Sequence, residues 1–149
     1  MPRAEAEAMA FAVITVAGAT QAGADHGDAA ALEQLVAFYA LCAEAVNDAS
    51  GRIVKALGDG VLASFPPEAL REAAGALREL QAAGTARWQA YDPRCRVQVR
   101  LGQGTVLAGV FGPPGHEAYD IYGNALSQLF KLPPGDFVLS PDAARLLQV

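Results

Sequence analysis

Residues 52–65 read RIVKALGDGVLASF. Two short apolar stretches flank Gly58-Asp59-Gly60, and Asp-Gly between such stretches is a strong turn signal for a hairpin. The segment therefore predicts two adjacent antiparallel strands joined by a tight loop. Lys55 alternates with Ile53 and Leu57, which sets a cation on the apolar-facing side of its strand, where lysine is rarely left unpaired. Asp59, between two glycines, reads as ordinary turn chemistry.

Upstream, FAVITV at 11–16 is a short β-branched run of the kind that forms a buried strand. The small, polar, glycine-bearing stretch 18–28 predicts a loop. Asp28 is placed as the N-cap of a long helix ending near Ser50-Gly51. Leu32, Leu35, Val36, Tyr39, Ala43 and Val46 form its apolar stripe, and Cys42 falls on that side as a buried free thiol. Downstream, Pro66-Pro67 suits the first turn of a second helix reaching about Ala83, with Leu70, Ala74, Leu77 and Leu80 on one side. Residues 87–93 are placed as a linker. Arg96–Leu101 and Thr105–Phe111 predict a second hairpin turning around Gly102 and Gly104. Residues 112–115 (GPPG) predict a loop, 119–122 an extended segment, 125–132 a helix and 137–139 a last strand. Ser140 before Pro141 caps a short final helix, 142–147. The order β-α-β-β-α-β-β-α-β-α predicts an α+β sandwich, a mostly antiparallel sheet with helices packed on it. It fills residues 1–149 as one domain, with no internal repeat.

Composition excludes several classes. The chain has 149 residues, of which 52% are hydrophobic and 18% charged, so it can build a core and is not a disordered chain. Eleven Lys and Arg stand against 16 Asp and Glu, for a net charge of -5. Without a basic cluster, nucleic acid is not an expected partner. Two cysteines make neither a disulfide framework nor a zinc site. Apolar runs break well short of the roughly 20 residues of a membrane span, and Glu5 and Glu7 stand where a signal peptide would be basic. The expectation is a cytoplasmic protein with no membrane partner. Phosphate-loop, dinucleotide, nucleophile-elbow and HExxH signatures are absent. His26 and His116 are expected as solvated loop histidines. Ser127, His116 and Asp120 lie near one another in sequence without the geometry a triad requires.

Two segments stand out, IVKALGDGVLASF (53–65) and YDIYGNALSQLFKL (119–132). They resemble the class III adenylate/guanylate cyclase catalytic domain, whose patterns read roughly (V/I)K.(I/L)GDG(V/F)(L/M)..F and YD(I/V)(W/Y)G..VN.A.R. The stretch GVFGPPGHEAYD (109–120) resembles the family's GNIGSPGRLDY. The resemblance runs from about Phe11 to Leu147. It implies a ferredoxin-like cyclase fold, a dimer, and a reaction in which a ribose 3′-hydroxyl attacks the α-phosphate of its own nucleotide and expels pyrophosphate. Two metal ions, Mg²⁺ or Mn²⁺ arriving with ATP, would assist it.

Carried onto this chain, the second metal aspartate is Asp59, the adenine-reading lysine Lys55 and its partner Asp120. Gly18 and Thr20 match the phosphate loop. Three positions depart: the first metal aspartate is Thr15, the ribose asparagine is Ser127, and the transition-state arginine is Lys131. The stretch Arg100–Gly109 is also about two residues shorter than the family's. Thr15 is a poor metal ligand beside a carboxylate, and Lys131 lacks the planar fork that grips phosphate. Losing one preorganised transition-state donor costs about 10²–10³ in rate, so three departures imply about 10⁴-fold or worse.

The resulting expectation is a degenerate cyclase-like domain, a pseudoenzyme of cyclic-nucleotide signal transduction. It would act as a homodimeric nucleotide-binding or protein-interaction module, or with another cyclase or signalling protein. Two alternatives stand beside it. One is an active adenylate cyclase with an unorthodox site, making cyclic AMP from ATP. The other is a subunit that lends Lys55 and Asp120 to a site whose metal aspartates sit elsewhere. A Lys55–Asp120 salt bridge across a dimer interface would use the same residues for structure alone.

Overall fold

A computed structural model describes residues 3–148. Its spine is a pair of long antiparallel strands, β1 (Arg3–Ala17) and β4 (Arg96–Phe111), in register from Arg3↔Val110 to Ala17↔Arg96. The first residues of β1, an arginine followed by alternating alanines and glutamates, are mostly exposed, whereas Met9–Ile14 is continuously buried. An unbroken apolar run is what a strand covered on both sides requires. Ala10, Ala12, Ile14 and Val16 enter the larger core, and Met9, Phe11 and Val13 the smaller one on the opposite face.

The other strands build outward from this pair. The hairpin of β2 (Arg52–Ala56) and β3 (Gly60–Phe65) adds β3 against β1, and β5 (Ala118–Tyr122) lies along the far half of β4, giving the order β2-β3-β1-β4-β5. The short β6 (Phe137–Leu139) joins the near half of the same β4 edge in parallel. On the larger-core face pack α2 (Asp28–Asp48) and α3 (Leu70–Tyr91), with Phe38 meeting Trp88 edge-on at 5.9 Å. On the other face, α4 (Asn124–Lys131) inserts Leu126 and Leu129 beside Phe11 and Val13. A short α1 (Ala19–His26) follows β1, and α5 (Pro141–Leu147) closes the chain, its first turn capped by Ser140 Oγ, which accepts from the Ala143 N–H at 3.1 Å. Helix α2 is long and apolar enough to cross a membrane, with mean hydropathy 1.4. Here one side of it, Phe38, Cys42 and Val46, is buried against the domain.

Four expectations are corrected. The stretch 18–28 is not a loop but holds α1: Gly18, at φ +85°, makes the turn into the helix, and contacts to the α3–β4 connection hold its short alanine-rich sequence. Asp28 is the first residue of α2 and not its cap, Gly27 taking that place, although its charge still favours the helix N-terminus. The linker placed at 87–93 is mostly helix. The helix runs past its expected end near Ala83: Gly84 lets α3 approach β4, since a Cβ there would lie 3.0 Å from Val97 Cγ2, and Trp88 is buried one turn later.

The hairpin around Gly102 and Gly104 does not exist; β4 runs straight through both. Neither glycine has a positive φ. They are the seat of α4: a Cβ on Gly102 would lie 2.9 Å from the Phe11 ring and 3.2 Å from Leu129, and one on Gly104 2.8 Å from the Ala125 Cβ.

Candidate functional site

The GDG loop forms the expected two-residue turn, with Gly58 at φ +76°. It is tied down from two sides. The Tyr39 hydroxyl on α2 donates to the Gly58 carbonyl, and the Val16 N–H donates to the Asp59 carbonyl at 3.1 Å. Gly60 pairs with Thr15, and a side chain at Gly60 would run into the Ile14 carbonyl and the Thr15 Cα. The turn is thus stapled to the end of β1, so that Thr15, paired with Gly60, and Asp59, bonded through its carbonyl to the Val16 N–H, are backbone neighbours. Asp59 is a single carboxylate with no side-chain partner among the described residues, and those residues contain no group of three or more His, Cys, Asp or Glu able to hold a metal. A threonine hydroxyl beside one carboxylate does not fit a pair of divalent ions, which are bound through carboxylates.

Lys55 and Asp120 meet as well. Strands β2 and β5 end the sheet path on opposite sides, and the curl of the sheet brings them together. Lys55 Nζ donates to Asp120 Oδ2 at 2.9 Å, while the Ile121 N–H donates to Asp120 Oδ1 at 2.8 Å. Next to this pair the Arg52 guanidinium lies over the Tyr119 ring, 3.6 Å from its centre. A bulge between Ile53 and Lys55 turns Lys55 opposite Leu62, on the smaller-core side. The Lys55–Asp120 bridge lies within one chain. Lys55 is half exposed, so the pair contributes about 1 kcal/mol at most.

The remaining positions are apart from both pairs. Ser127 is exposed on α4, its Oγ donating back to the Gly123 carbonyl at 3.2 Å, and Lys131 lies one turn on, exposed and without a partner among the described residues. No hydrogen bond or ion pair links either of them to Asp59, Lys55 or Asp120 among the described residues. Gly18 and Thr20 open α1, whose first turn receives no side-chain cap. Gly18 is required there for a structural reason also: its Cβ would sit 2.6 Å from the Arg94 carbonyl.

Two features escape the sequence reading. Arg100 pairs in register with Val13 on β1, two residues from Thr15, and its Nε donates to the Leu132 carbonyl at the end of α4 at 3.1 Å. The alternation of RVQVR at 96–100 signals its side, opposite Val97 and Val99. The second feature is an ionic cluster under α1. Asp92 is buried; it accepts from Arg94 Nε at 3.0 Å and Nη2 at 2.7 Å, takes the Arg94 N–H at 2.9 Å, and lies 3.1 Å from His26 Nε2. These hydrogen bonds, Arg94 first, hold its carboxyl well below the usual carboxylate range against the opposing effect of burial. Asp25 grips Arg94 from α1, and His26 rests on Tyr91 at 4.7 Å. His26 is exposed as expected but ends α1 instead of lying in a loop, while His116 does lie in an exposed loop.

A curled antiparallel sheet with two helices on one face and a short helix on the other is an α+β sandwich. More narrowly, it is the fold of class III adenylyl and guanylyl cyclase catalytic domains. The chain is similar to the guanylyl cyclase Cya2 (TM-score 0.85, 15% identity, 97% of this chain and 80% of that one). It is similar to the adenylyl cyclase CyaB from P. aeruginosa (TM-score 0.76, 16% identity, 97% and 83%). It also resembles the non-canonical dimeric guanylyl cyclase domain of the RhoGC fusion protein from the aquatic fungus Blastocladiella emersonii (TM-score 0.81, 11% identity, 97% and 85%). No family model matches the sequence, and neither does any curated protein.

Proposed function

We propose that this chain is a cyclase-fold domain without cyclase chemistry, acting in the cytoplasm as a dimeric nucleotide-binding or protein-interaction module in signalling. The observation that carries this reading is Thr15 beside Asp59. The backbone geometry that would present two metal aspartates is intact, yet one carboxylate stands where two are needed. Ser127 and Lys131 add to it, as short and unforked groups where a ribose and a transition-state phosphate would be held. The Lys55–Asp120 pair supports an adenine-type contact, because an ammonium and a carboxylate side by side offer both a donor and an acceptor to a base edge. Dimerisation is supported by Leu107 and Tyr122, directly opposite each other on β4 and β5 and 43% and 68% exposed. The dimeric neighbour from B. emersonii supports it too.

The test is incubation of the purified protein with ATP and Mn²⁺ or Mg²⁺ and measurement of cyclic AMP. No product above a protein-free control is expected. Turnover that vanishes in Asp59→Ala would overturn the proposal and establish the second reading, an adenylate cyclase with an unorthodox site. Calorimetry with ATP then separates the two modules: heat that Lys55→Ala abolishes marks nucleotide binding, and no heat marks protein interaction alone. Size-exclusion chromatography reads the oligomer, and a monomer at all concentrations removes the dimeric part of the proposal.

A further inference from the structure

The C-terminal half of α2 lies against the N-terminal half of α3, and the surface between them is a groove. It consists of two adjoining concavities of about 170 and 240 Å³, with Asp48 in the wall of both. The floor is apolar: Leu41, Ala45, Ala76 and Leu80 in the first, Ala49, Pro66 and Ala69 in the second. The rims are acidic. Glu44 and Asp48 stand on α2, Glu68 on the short 3₁₀ turn before α3, and Glu72 and Glu79 on α3. All five are exposed, and none has an ion-pair partner among the described residues. No lysine or arginine lines either concavity. The sequence builds this in. Helix α2 carries four acids and no base in 21 residues. Helix α3 segregates its charges by side: Arg78 turns away from the groove, its guanidinium 4.0 Å from the centre of the Phe137 ring, and Arg71, two turns earlier, shares that side.

We propose that this groove docks an amphipathic helix of a partner protein, with an apolar stripe that lies on the floor and lysines or arginines that flank the stripe. Glu72 to Ala83 is eleven residues of α3, about 16 Å, so the docked segment is about three turns long. Alanines at 45, 76 and 83 keep the floor low enough for a helix to lie close. Charge names the occupant. Unpaired carboxylates along an apolar floor draw cations to the rim and leave the centre to apolar contact, which is how a helix is held in a groove. A second copy laid groove to groove would set the same acids against each other. Nucleic acid and anionic lipid are repelled for the same reason. A metal is not the occupant, since the described residues contain no group of three or more His, Cys, Asp or Glu able to hold one. The inference rests on the protein-interaction side of the proposed function and gives it a partner. None of Thr15, Lys55, Asp59 or Asp120 lines the groove, so its failure would leave the ATP and cyclic AMP outcomes untouched.

The probe is a labelled peptide of about four turns, alanine-based, with leucines at i, i+3, i+4 and i+7 and lysines on either side of them. One comparison peptide replaces every lysine by glutamate, and another replaces every leucine by serine. Fluorescence anisotropy reads affinity, and two-dimensional ¹⁵N–¹H spectra read the place. The lysine peptide should cause saturable shifts at Leu41, Ala45, Ala76 and Ala83 and bind more weakly as salt rises. The glutamate peptide should not bind, and the serine peptide should bind about tenfold more weakly or worse, having lost its buried methylenes. Glu44→Lys with Glu79→Lys, both at exposed positions, should weaken the lysine peptide about tenfold, as two exposed attractions become repulsions, and should admit the glutamate peptide. Glu5→Lys with Glu117→Lys, also exposed, changes the net charge equally and should leave binding unchanged. No saturable shift in the groove, an equal loss in the two double variants, or equal binding of the serine peptide would each overturn the proposal. Self-association through these residues, or their shifting on phosphatidylserine vesicles, would overturn it as well by giving the groove another occupant.

Discussion

Replacing Gly102 by alanine distinguishes a seat for α4 from a turn. A Cβ there would meet Phe11 Cε1 at 2.9 Å and Leu129 Cδ1 at 3.2 Å, and both side chains are 1% exposed, so neither can swing into solvent. Overpacking of this kind costs about 1–3 kcal/mol. The backbone at Gly102 has no positive φ, so alanine also regains about 0.4–1 kcal/mol by restricting the unfolded chain. The net expectation is a loss of about 1–2 kcal/mol. A chain of this length unfolds with an entropy near 0.3 kcal/mol/K, which makes the fall in Tm about 3–6 °C. Gly75→Ala is the internal control: it sits in α3 with nothing within 4 Å of its Cβ, so alanine there should raise Tm by about 2–3 °C. Thermal unfolding followed by circular dichroism reads both. Phe11→Leu, which withdraws the ring, should reduce the cost of Gly102→Ala in a double-mutant cycle. The reasoning fails if Gly102→Ala raises Tm as Gly75→Ala does, or if Phe11→Leu leaves its cost unchanged.

Gly18→Ala should cost at least about 2 kcal/mol, from a left-handed backbone and a Cβ 2.6 Å from the Arg94 carbonyl, whereas Gly58→Ala, equally left-handed but in open space, should cost about 1 kcal/mol in the same thermal scan. Asp92 has its carboxyl lowered in the folded chain, so the stability it contributes is full above the ordinary carboxylate pKa near 3.9 and is lost progressively as pH falls below that value toward the lower folded one. The Tm gap between the native chain and Asp92→Asn should therefore be widest near pH 7 and narrow steadily below about pH 4. Burial pushes the Cys42 thiol up to about 12 and raises Cys95 as well. A thiol reagent at pH 8 should leave both untouched in the native protein and titrate two in denaturant. Lys55→Ala and Asp120→Ala should couple by no more than about 1 kcal/mol, less at high salt.

Local chemistry made the hairpin at 52–65 legible, because a two-residue turn between apolar strands leaves a short-range mark. The same holds for the Ser140 cap and the stripes of α2 and α3. Glycines misled wherever their reason was tertiary. Gly102 and Gly104 read as a turn, yet each marks a place where a helix presses on a strand, and that neighbour is distant in sequence. Resemblance found the Lys55–Asp120 meeting and the Thr15–Asp59 adjacency. The Asp92–Arg94–His26 cluster was hidden because His26 lies 66 positions from Asp92, and nothing near His26 announces a buried acid.

The positions that match the cyclase pattern and those that depart from it differ in what they do for the fold. Lys55 and Asp120 tie β2 to β5, the Asp59 backbone ties the hairpin to β1, and Gly18 fits the start of α1 under the Arg94 carbonyl. Each has structural work that persists without any reaction. The departing positions carry little of it: Ser127 bonds only to its own helix, Lys131 has no partner among the described residues, and Thr15 offers its strand a methyl and a hydroxyl where a carboxylate would stand. A matched motif in this chain therefore weighs less for catalysis than its residue count suggests, because the fold alone accounts for the matches. Restoring the departing positions tests the consequence. Thr15→Asp with Ser127→Asn and Lys131→Arg should leave the fold intact, since two of the three sites are exposed. If the scaffold is otherwise competent, cyclic AMP should appear in the triple variant and vanish again with Asp59→Ala. A folded triple variant that stays silent would place the block elsewhere, in the shortened stretch of β4 that seats α4.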